Sequence, residues 1–214
     1  MWVADQPTLN LCLPTGSTPA PVYRTLARDR ADMSGSTVFL LDEFVLPGES
    51  PGRCDAMLRR DLLDLIDREP SVVGWDTTGN LDSQAAHMEG AIRRAGGIDL
   101  ALLGLGMNGH IGMNEPGSSP TSRSRVVHLA EATAMGALRY GAEVKPSHGV
   151  TLGIGTLLEA GAIWLLVSGA LKADVLRTAL EGPISGETPA TFLRNHANLT
   201  VFADESAASA LGGH

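Results

Sequence analysis

The sequence predicts an α/β protein: a three-layer, mostly parallel Rossmann-like sheet with helices on both faces. Two observations carry that prediction. Segments of strand character alternate with segments of helical spacing along the whole chain, the order that crossover helices between parallel strands produce. Several of the strand-like runs, such as 38–41 and 100–105, are apolar from end to end, and a strand without a polar side is covered on both faces. In such folds ligands sit beyond the carboxyl ends of the strands.

The elements follow in order. Residues 9–13 form a short apolar run, and 21–30 read as a helix after a Pro-Thr-Gly-Ser-Thr-Pro turn. Residues 37–41 are a second strand that ends at Asp42 and Glu43. Helical spacing over 55–68 puts Met57, Leu58, Leu62, Leu63, Leu65 and Ile66 on one apolar side. Residues 71–75 read as strand, 80–95 as helix, and 98–105 as a buried strand running into Gly106-Met107-Asn108-Gly109-His110. Helix is expected over 130–140 and strand over 148–152, and a short helix fits 155–160. Strand over 162–167, helix over 172–181 and strand over 199–203 complete the reading.

The bulk numbers narrow the function classes. With 214 residues, 43% hydrophobic and 19% charged, the chain fits one domain spanning 1–214. A net charge of −8 argues against nucleic acid as a partner. No apolar run approaches a membrane span. Residues 1–8 lack the basic start of a signal peptide. Cys12 and Cys54 are the two cysteines and have no metal-type spacing, so a reducing cytoplasmic compartment is expected. Neither a metal nor a cofactor is expected: the histidines lack zinc spacing, and the Gly-Lys-Ser/Thr end of a nucleotide loop is absent.

Three polar clusters fall at strand ends. Thr15, Gly16, Ser17 and Thr18 lie between a strand and a helix, where free N–H groups suit a phosphate. A plain helix cap, with Ser17 or Thr18 at the cap and Pro19 following, fits the same residues equally well. Asp42 after an apolar strand suits a general base, although an acidic pair facing water is the commoner use of Asp42-Glu43. Asn108, His110 and Glu115 form the richest cluster, since an amide and a carboxylate can orient an imidazole and tune its proton affinity. Lys172 follows a strand and a Ser-Gly turn, and Arg139 lies in an expected helix. Each reads either as an anion ligand or as a solvated surface charge.

The stretches LPTGSTPAPVYRTL, FLLDEFVLP, DLALLGLGMNGHIGMNEPGSSPTSRSRVV, GVTLGIGTLLEA, LLVSGALKADVLRTALEG and NLTVFADESA resemble, in collinear order, the glucosamine-6-phosphate deaminase (isomerase) family. Its fold relatives include 6-phosphogluconolactonases. The lactonases carry Asp-Glu-Arg after the second strand, where this chain has Asp42-Glu43-Phe44. The resemblance implies that Asp42 moves a proton between C2 and C1 of an open-chain sugar. It implies that His110 opens the pyranose ring with Asn108 and Glu115 as partners, held by Glu115 on one nitrogen with Asn108 nearby. It also implies that Thr15, Gly16, Ser17, Thr18, Arg139 and Lys172 bind the substrate phosphate. The partner is then a small-molecule sugar phosphate, and a homo-oligomer is left open. The reaction classes expected are hydrolase, isomerase and deaminase. The alternatives are a lactonase-like hydrolase and a non-catalytic sugar-phosphate sensor. Against the family pattern, Asn108 replaces an aspartate common in relatives, the N-terminal helix is missing, and 125–148 reads as a shortened active-site lid.

Overall fold

The structure, a computed structural model, describes residues 8–212. The reading of residues 1–7 as a non-signal segment lies outside them. The elements run β1 (Asn10–Leu13), α1 (Ala20–Arg28), β2 (Thr37–Leu40), β3 (Asp42–Phe44), α2 (Cys54–Asp61), β4 (Ser71–Val73), α3 (Leu81–Arg94), β5 (Leu100–Gly104), β6 (Arg125–His128), α4 (Glu131–Arg139), β7 (His148–Thr151), α5 (Ile154–Leu158), β8 (Ala162–Val167), α6 (Ala173–Glu181), β9 (Leu199–Ala203) and α7 (Glu205–Ala208).

Six strands form one sheet in the order β4-β2-β1-β5-β8-β9, and every pairing in it is parallel. Helices surround it, as the alternation predicts. The core lies along its central strands, where Leu11, Cys12, Val38, Phe39, Ala101, Leu103, Ile163 and Leu165 are buried. The strand order reverses direction between β1 and β5, so the loops leaving those two strands diverge and open a crevice.

A second, three-stranded antiparallel sheet in the order β3-β7-β6 stands beside the first. The sequence does not announce it. Residues 148–151 read as another strand of the parallel sheet, but pair instead with Asp42–Phe44 and Arg125–His128. Asp42 pairs with Thr151 and Phe44 with Gly149. β3 is only three residues long and carries two carboxylates, so no apolar periodicity marks it.

The helix expected over 55–68 stops at Asp61, and a single 3-10 turn, Leu63–Leu65, follows. Leu62 leaves helical geometry with φ −134° and ψ −62°. That break lets Leu62, Leu63 and Ile66 all face the core while Leu65 points out at 48% exposure. A continuous helix could not bury Leu62, Leu63 and Ile66 together with Met57 and Leu58 on one stripe. Among the described residues no helix is long and apolar enough to cross a membrane.

Candidate active site

A cleft of about 520 Å³ opens beyond the carboxyl ends of β1 and β5. It is lined by the loop after β1, the loop after β5, β3, the start of α2, and α4 with the residue after it. Asp42, Asn108, His110, Thr15, Ser17, Thr18, Arg139 and Lys172 all line it. Gly16 and Glu115 stand one layer back.

Asp42 and Glu43 are neighbours in β3, so their side chains leave on opposite faces. Both are buried, at 9% and 0% exposure, which corrects the reading of an acidic pair facing water. Asp42 faces the cleft. Its Oδ1 takes a contact of 3.6 Å from the Cys54 thiol. Its Oδ2 lies 3.3 Å from the place where a Cβ on Gly112 would stand. Burial pushes the Asp42 carboxyl up to about 7, and the Cys54 contact pulls it partly back. Glu43 faces the other way and anchors α2. Its Oε1 accepts from the Phe44 and Cys54 amides and its Oε2 from the Asp55 amide, with Arg53 Nη2 at 3.4 Å. Burial lifts the Glu43 carboxyl, and those amides with Arg53 oppose the lift. Glu43 therefore does the work of an N-terminal cap on α2, and Asp42 alone is available for chemistry.

The His110 arrangement follows from hydrogen-bond logic. Asn108 Nδ2 donates to Glu115 Oε2 at 3.0 Å, and a carboxylate can only accept. The amide oxygen must then face His110, and Asn108 Oδ1 lies 2.7 Å from His110 Nδ1. An amide oxygen also only accepts, so Nδ1 carries the proton and Nε2 keeps its lone pair in the neutral ring. Glu115 Oε2 is farther from Nδ1, at 3.6 Å. The expected order, with Glu115 on the ring and Asn108 beside it, is thus reversed: Asn108 bonds the ring and Glu115 bonds Asn108. Asparagine can play that part because its amide presents one acceptor and one donor in a row. Glu115 Oε1 also accepts from the Ala130 amide at 3.3 Å, which ties the relay to the start of α4. Burial lowers the His110 proton affinity below that of free histidine, Glu115 raises it, and Lys172 lowers it again. A Cβ on Gly106 would stand 2.3 Å from the His110 ring, so only glycine fits there.

The rest of the lining carries the hydroxyls and cations. The N-terminal boundary of α1 is Pro19, which has no side-chain cap bond. Ser17 and Thr18 are therefore not spent on capping, which corrects the cap reading. Gly16 has φ +102°, and a Cβ there would meet the Tyr140 hydroxyl at 2.9 Å. Tyr140 Oη accepts from the Ser17 amide at 3.4 Å. Lys172 ends a 3-10 turn, Ala170–Lys172, rather than starting α6. Its Nζ donates to the Leu105 carbonyl at 2.6 Å, and burial lowers its proton affinity. The lysine thus reaches the cleft from the His110 side. Arg139 reaches it from the last turn of α4.

Sequence reasoning missed Cys54, Thr133 and Tyr140, which also line the cleft. Tyr140 follows Arg139 directly, and that adjacency was a usable signal. Cys54 and Thr133 carried none. The Thr133 Oγ1 is buried with no hydrogen-bond partner among the described residues. Among those residues, no group of three or more His, Cys, Asp or Glu is placed to hold a metal ion.

Comparison with known proteins bears on this site. A family model described as glucosamine-6-phosphate isomerases/6-phosphogluconolactonase matches residues 2–202. A glucosamine-6-phosphate deaminase of Pseudarthrobacter chlorophenolicus is 42% identical, covering 96% of this chain and 83% of its own. One from Streptomyces avermitilis is 40% identical, covering 96% and 83%. A solved structure of a monomeric glucosamine-6-phosphate deaminase superposes with a TM-score of 0.90 at 34% identity, covering 97% of this chain and 90% of that one. The 6-phosphogluconolactonase of Trypanosoma brucei, at 24% identity and a TM-score of 0.75, shares the fold. The hydrolase class expected beside isomerase and deaminase is corrected by these relatives, which are named deaminases. The physical reason lies in the site: a buried carboxyl titrating near 7 is equipped to carry a proton between carbons.

Proposed function

We propose, from the premise that the chain belongs to the family of glucosamine-6-phosphate isomerases and 6-phosphogluconolactonases, that residues 1–214 form one domain converting an amino-sugar phosphate and water to a ketohexose 6-phosphate and ammonia. Glucosamine 6-phosphate is the first candidate substrate and galactosamine 6-phosphate the second. The observation that carries the reading is Asp42: a buried carboxyl titrating near 7, on the same cleft as an imidazole whose free nitrogen is Nε2.

The steps balance with this chain's own groups. Thr15, Ser17, Thr18, Arg139 and Lys172 hold the phosphate with the Gly16 backbone, fixing the chain so that the base meets the right carbon. His110 Nε2 takes the O1 proton, the C1–O5 bond breaks, and O5 receives a proton. The new aldehyde acidifies C2–H. Asp42 removes that proton, O1 gains a proton at the expense of the amine nitrogen, and Asp42 delivers its proton to C1 as the double bond shifts to C2=N. Water adds to C2, and ammonia leaves as the ketone forms. Every group named lies within one chain, so the reading needs no second copy. Two buried free cysteines support a reducing, cytoplasmic location.

The test measures ammonia release from both amino-sugar phosphates beside hydrolysis of a 6-phosphogluconolactone. Ammonia release from at least one amino sugar is the expected result. Lactone hydrolysis without ammonia release would overturn the proposal.

A further inference from the structure

Cys54 occupies a position that the reaction as described does not use. It is the first residue of α2 and is buried at 2% exposure. Its backbone is fixed, because its amide donates to Glu43 Oε1 at 2.8 Å. Its thiol is then left between two walls of the cleft. On one side stands Asp42 Oδ1, 3.6 Å from the sulfur. On the other is the loop after β1, whose Thr15 lines the same cleft.

We propose that Cys54 is a positioning residue for the base: donating to Asp42 Oδ1, it orients the carboxylate with Oδ2 beside Gly112. This rests on the deaminase reading above. The direction of the bond follows from which groups can hold a proton. An ionised carboxylate only accepts, so the proton between sulfur and Oδ1 belongs to the thiol. Burial first, and then the neighbouring carboxylates of Asp42 and Glu43, keep that thiol protonated.

The arrangement gives Cys54 two consequences that plain packing would not. The first is orientation: a carboxylate bonded through one oxygen has one oxygen fixed and one free. The second is titration. The thiol stabilises the ionised form of Asp42 and so offsets part of what burial does. The other titratable groups facing Asp42 are Cys12 on β1 and Tyr23 on α1. Burial raises both, so each stays protonated over the pH range in which Asp42 titrates. Glu43 is adjacent but turned toward α2, and His110 and Lys172 line the same cleft. Among the described residues, only Cys54 has a side chain in hydrogen-bond contact with the Asp42 carboxyl.

The experiment compares the parent with Cys54→Ala and Cys54→Ser. Both variants keep the backbone bond to Glu43, and their folding is checked by thermal unfolding. For ammonia release, removing the donor in Cys54→Ala is expected to lower kcat/KM about 3- to 10-fold on the acid side and to move the acid limb up by roughly half a unit to one unit. The KM-to-kcat split should fall mainly on kcat. Serine offers an O–H in the same place and is expected to return the limb toward the parent position. A parent-like limb in Cys54→Ala, or a Cys54→Ser variant as impaired as the alanine, overturns the proposal. A second readout needs no turnover. The S–H stretching band assigned by its loss in Cys54→Ser should shift in Asp42→Asn. A band unmoved by Asp42→Asn also overturns the proposal. Absence of ammonia release by the parent would instead sink the deaminase reading, and the infrared result would still decide whether the thiol holds Asp42.

Discussion

Replacing Asn108 with aspartate tests the relay around His110, and its size can be worked from the distances. The substitution puts a carboxylate oxygen where the amide nitrogen stands, 3.0 Å from Glu115 Oε2. At an effective dielectric constant of about 20, two charges at that separation repel by ~5.5 kcal/mol, or ~4 pH units. Both carboxylates cannot stay ionised near neutrality, so the pair keeps one proton between them. The charge felt by His110 therefore remains a single negative one, but it moves closer. It is centred 3.6 Å from Nδ1 in the parent and as near as 2.7 Å in the variant. The same dielectric constant gives about 1.5 kcal/mol of extra attraction for the imidazolium, or ~1 pH unit. His110 in Asn108→Asp should thus bind its proton about one unit more tightly, not three or four. The direct assay is an NMR titration of the His110 ring. The kinetic sign is also fixed. His110 must be neutral to take the O1 proton, and burial holds it below its usual value in the parent, beneath an acid limb set by Asp42 near 7. Raising it brings the two titrations together, so the limb should steepen toward two protons. A His110 titration that stays put or falls would refute the relay. A rise of several units would show that both carboxylates remain charged, and the shared-proton argument would fail.

Further outcomes follow from the same geometry. Asp42→Asn should cut ammonia release by ~10²–10⁴-fold while sugar-phosphate binding persists, because an amide cannot accept the C2 proton; undiminished turnover removes Asp42 from the mechanism. The same variant has a stability signature. The Asp42 carboxyl titrates at about 7 in the folded chain against 3.8 ordinarily, so the folded state keeps a proton that the unfolded state has lost. Stability in the parent should drain as pH rises from 3.8 to about 7, by about 4 kcal/mol at most. Asp42→Asn should therefore gain unfolding free energy over the parent at pH 8 and nothing at pH 3, and equal stability of the two at pH 8 would contradict the buried placement. Thr133→Val removes a hydroxyl with no partner among the described residues, so stability should stay within about 1 kcal/mol of the parent. A raised KM with unchanged kcat would place that hydroxyl on the substrate, and an unchanged KM would exclude it. Gly106→Ala puts a Cβ 2.3 Å from the His110 ring and should cost about 10²-fold in turnover through misplacement of that ring; a parent-like rate would mean that the ring has room to spare.

The parallel sheet was legible because its strands are mostly apolar and its crossovers have helical period, both local signals. The second sheet was not, because β3 is Asp-Glu-Phe and pairs with residues more than 100 positions away. Its existence depends on where β7 passes, which no window of sequence contains. The site residues were legible as types at strand ends, since glycine, hydroxyl and carboxylate clusters stand out against apolar runs. Their order of contact was not. Asn108 and Glu115 were both identified, but which one meets His110 is decided by which groups can donate and which can only accept. Cys54 was read only as a cysteine count, because its meaning comes from its place at the first position of α2, against Asp42.

One short strand accounts for much of the proposed chemistry. In β3, consecutive side chains must alternate, so a single Asp-Glu step sends one carboxyl to the cleft and the other to the start of α2. Glu43 holds the first turn of α2 in place, and the first residue of that turn is Cys54, whose thiol returns to touch Asp42. The two acids are thus connected through the helix that one of them anchors. A slip of one residue in the pairing with β7 would exchange their faces, leaving a glutamate in the cleft and α2 without its anchor. The register Asp42 with Thr151 and Phe44 with Gly149 is protected by sterics. A Cβ on Gly149 would stand 2.1 Å from the Met113 sulfur and 3.1 Å from the Glu43 carbonyl, so only glycine fits opposite Phe44. Gly149→Ala should therefore disturb the base without touching it, lowering turnover and moving the Asp42 limb together. A variant that folds normally and keeps both would show that the identity of the base does not depend on the register of the second sheet.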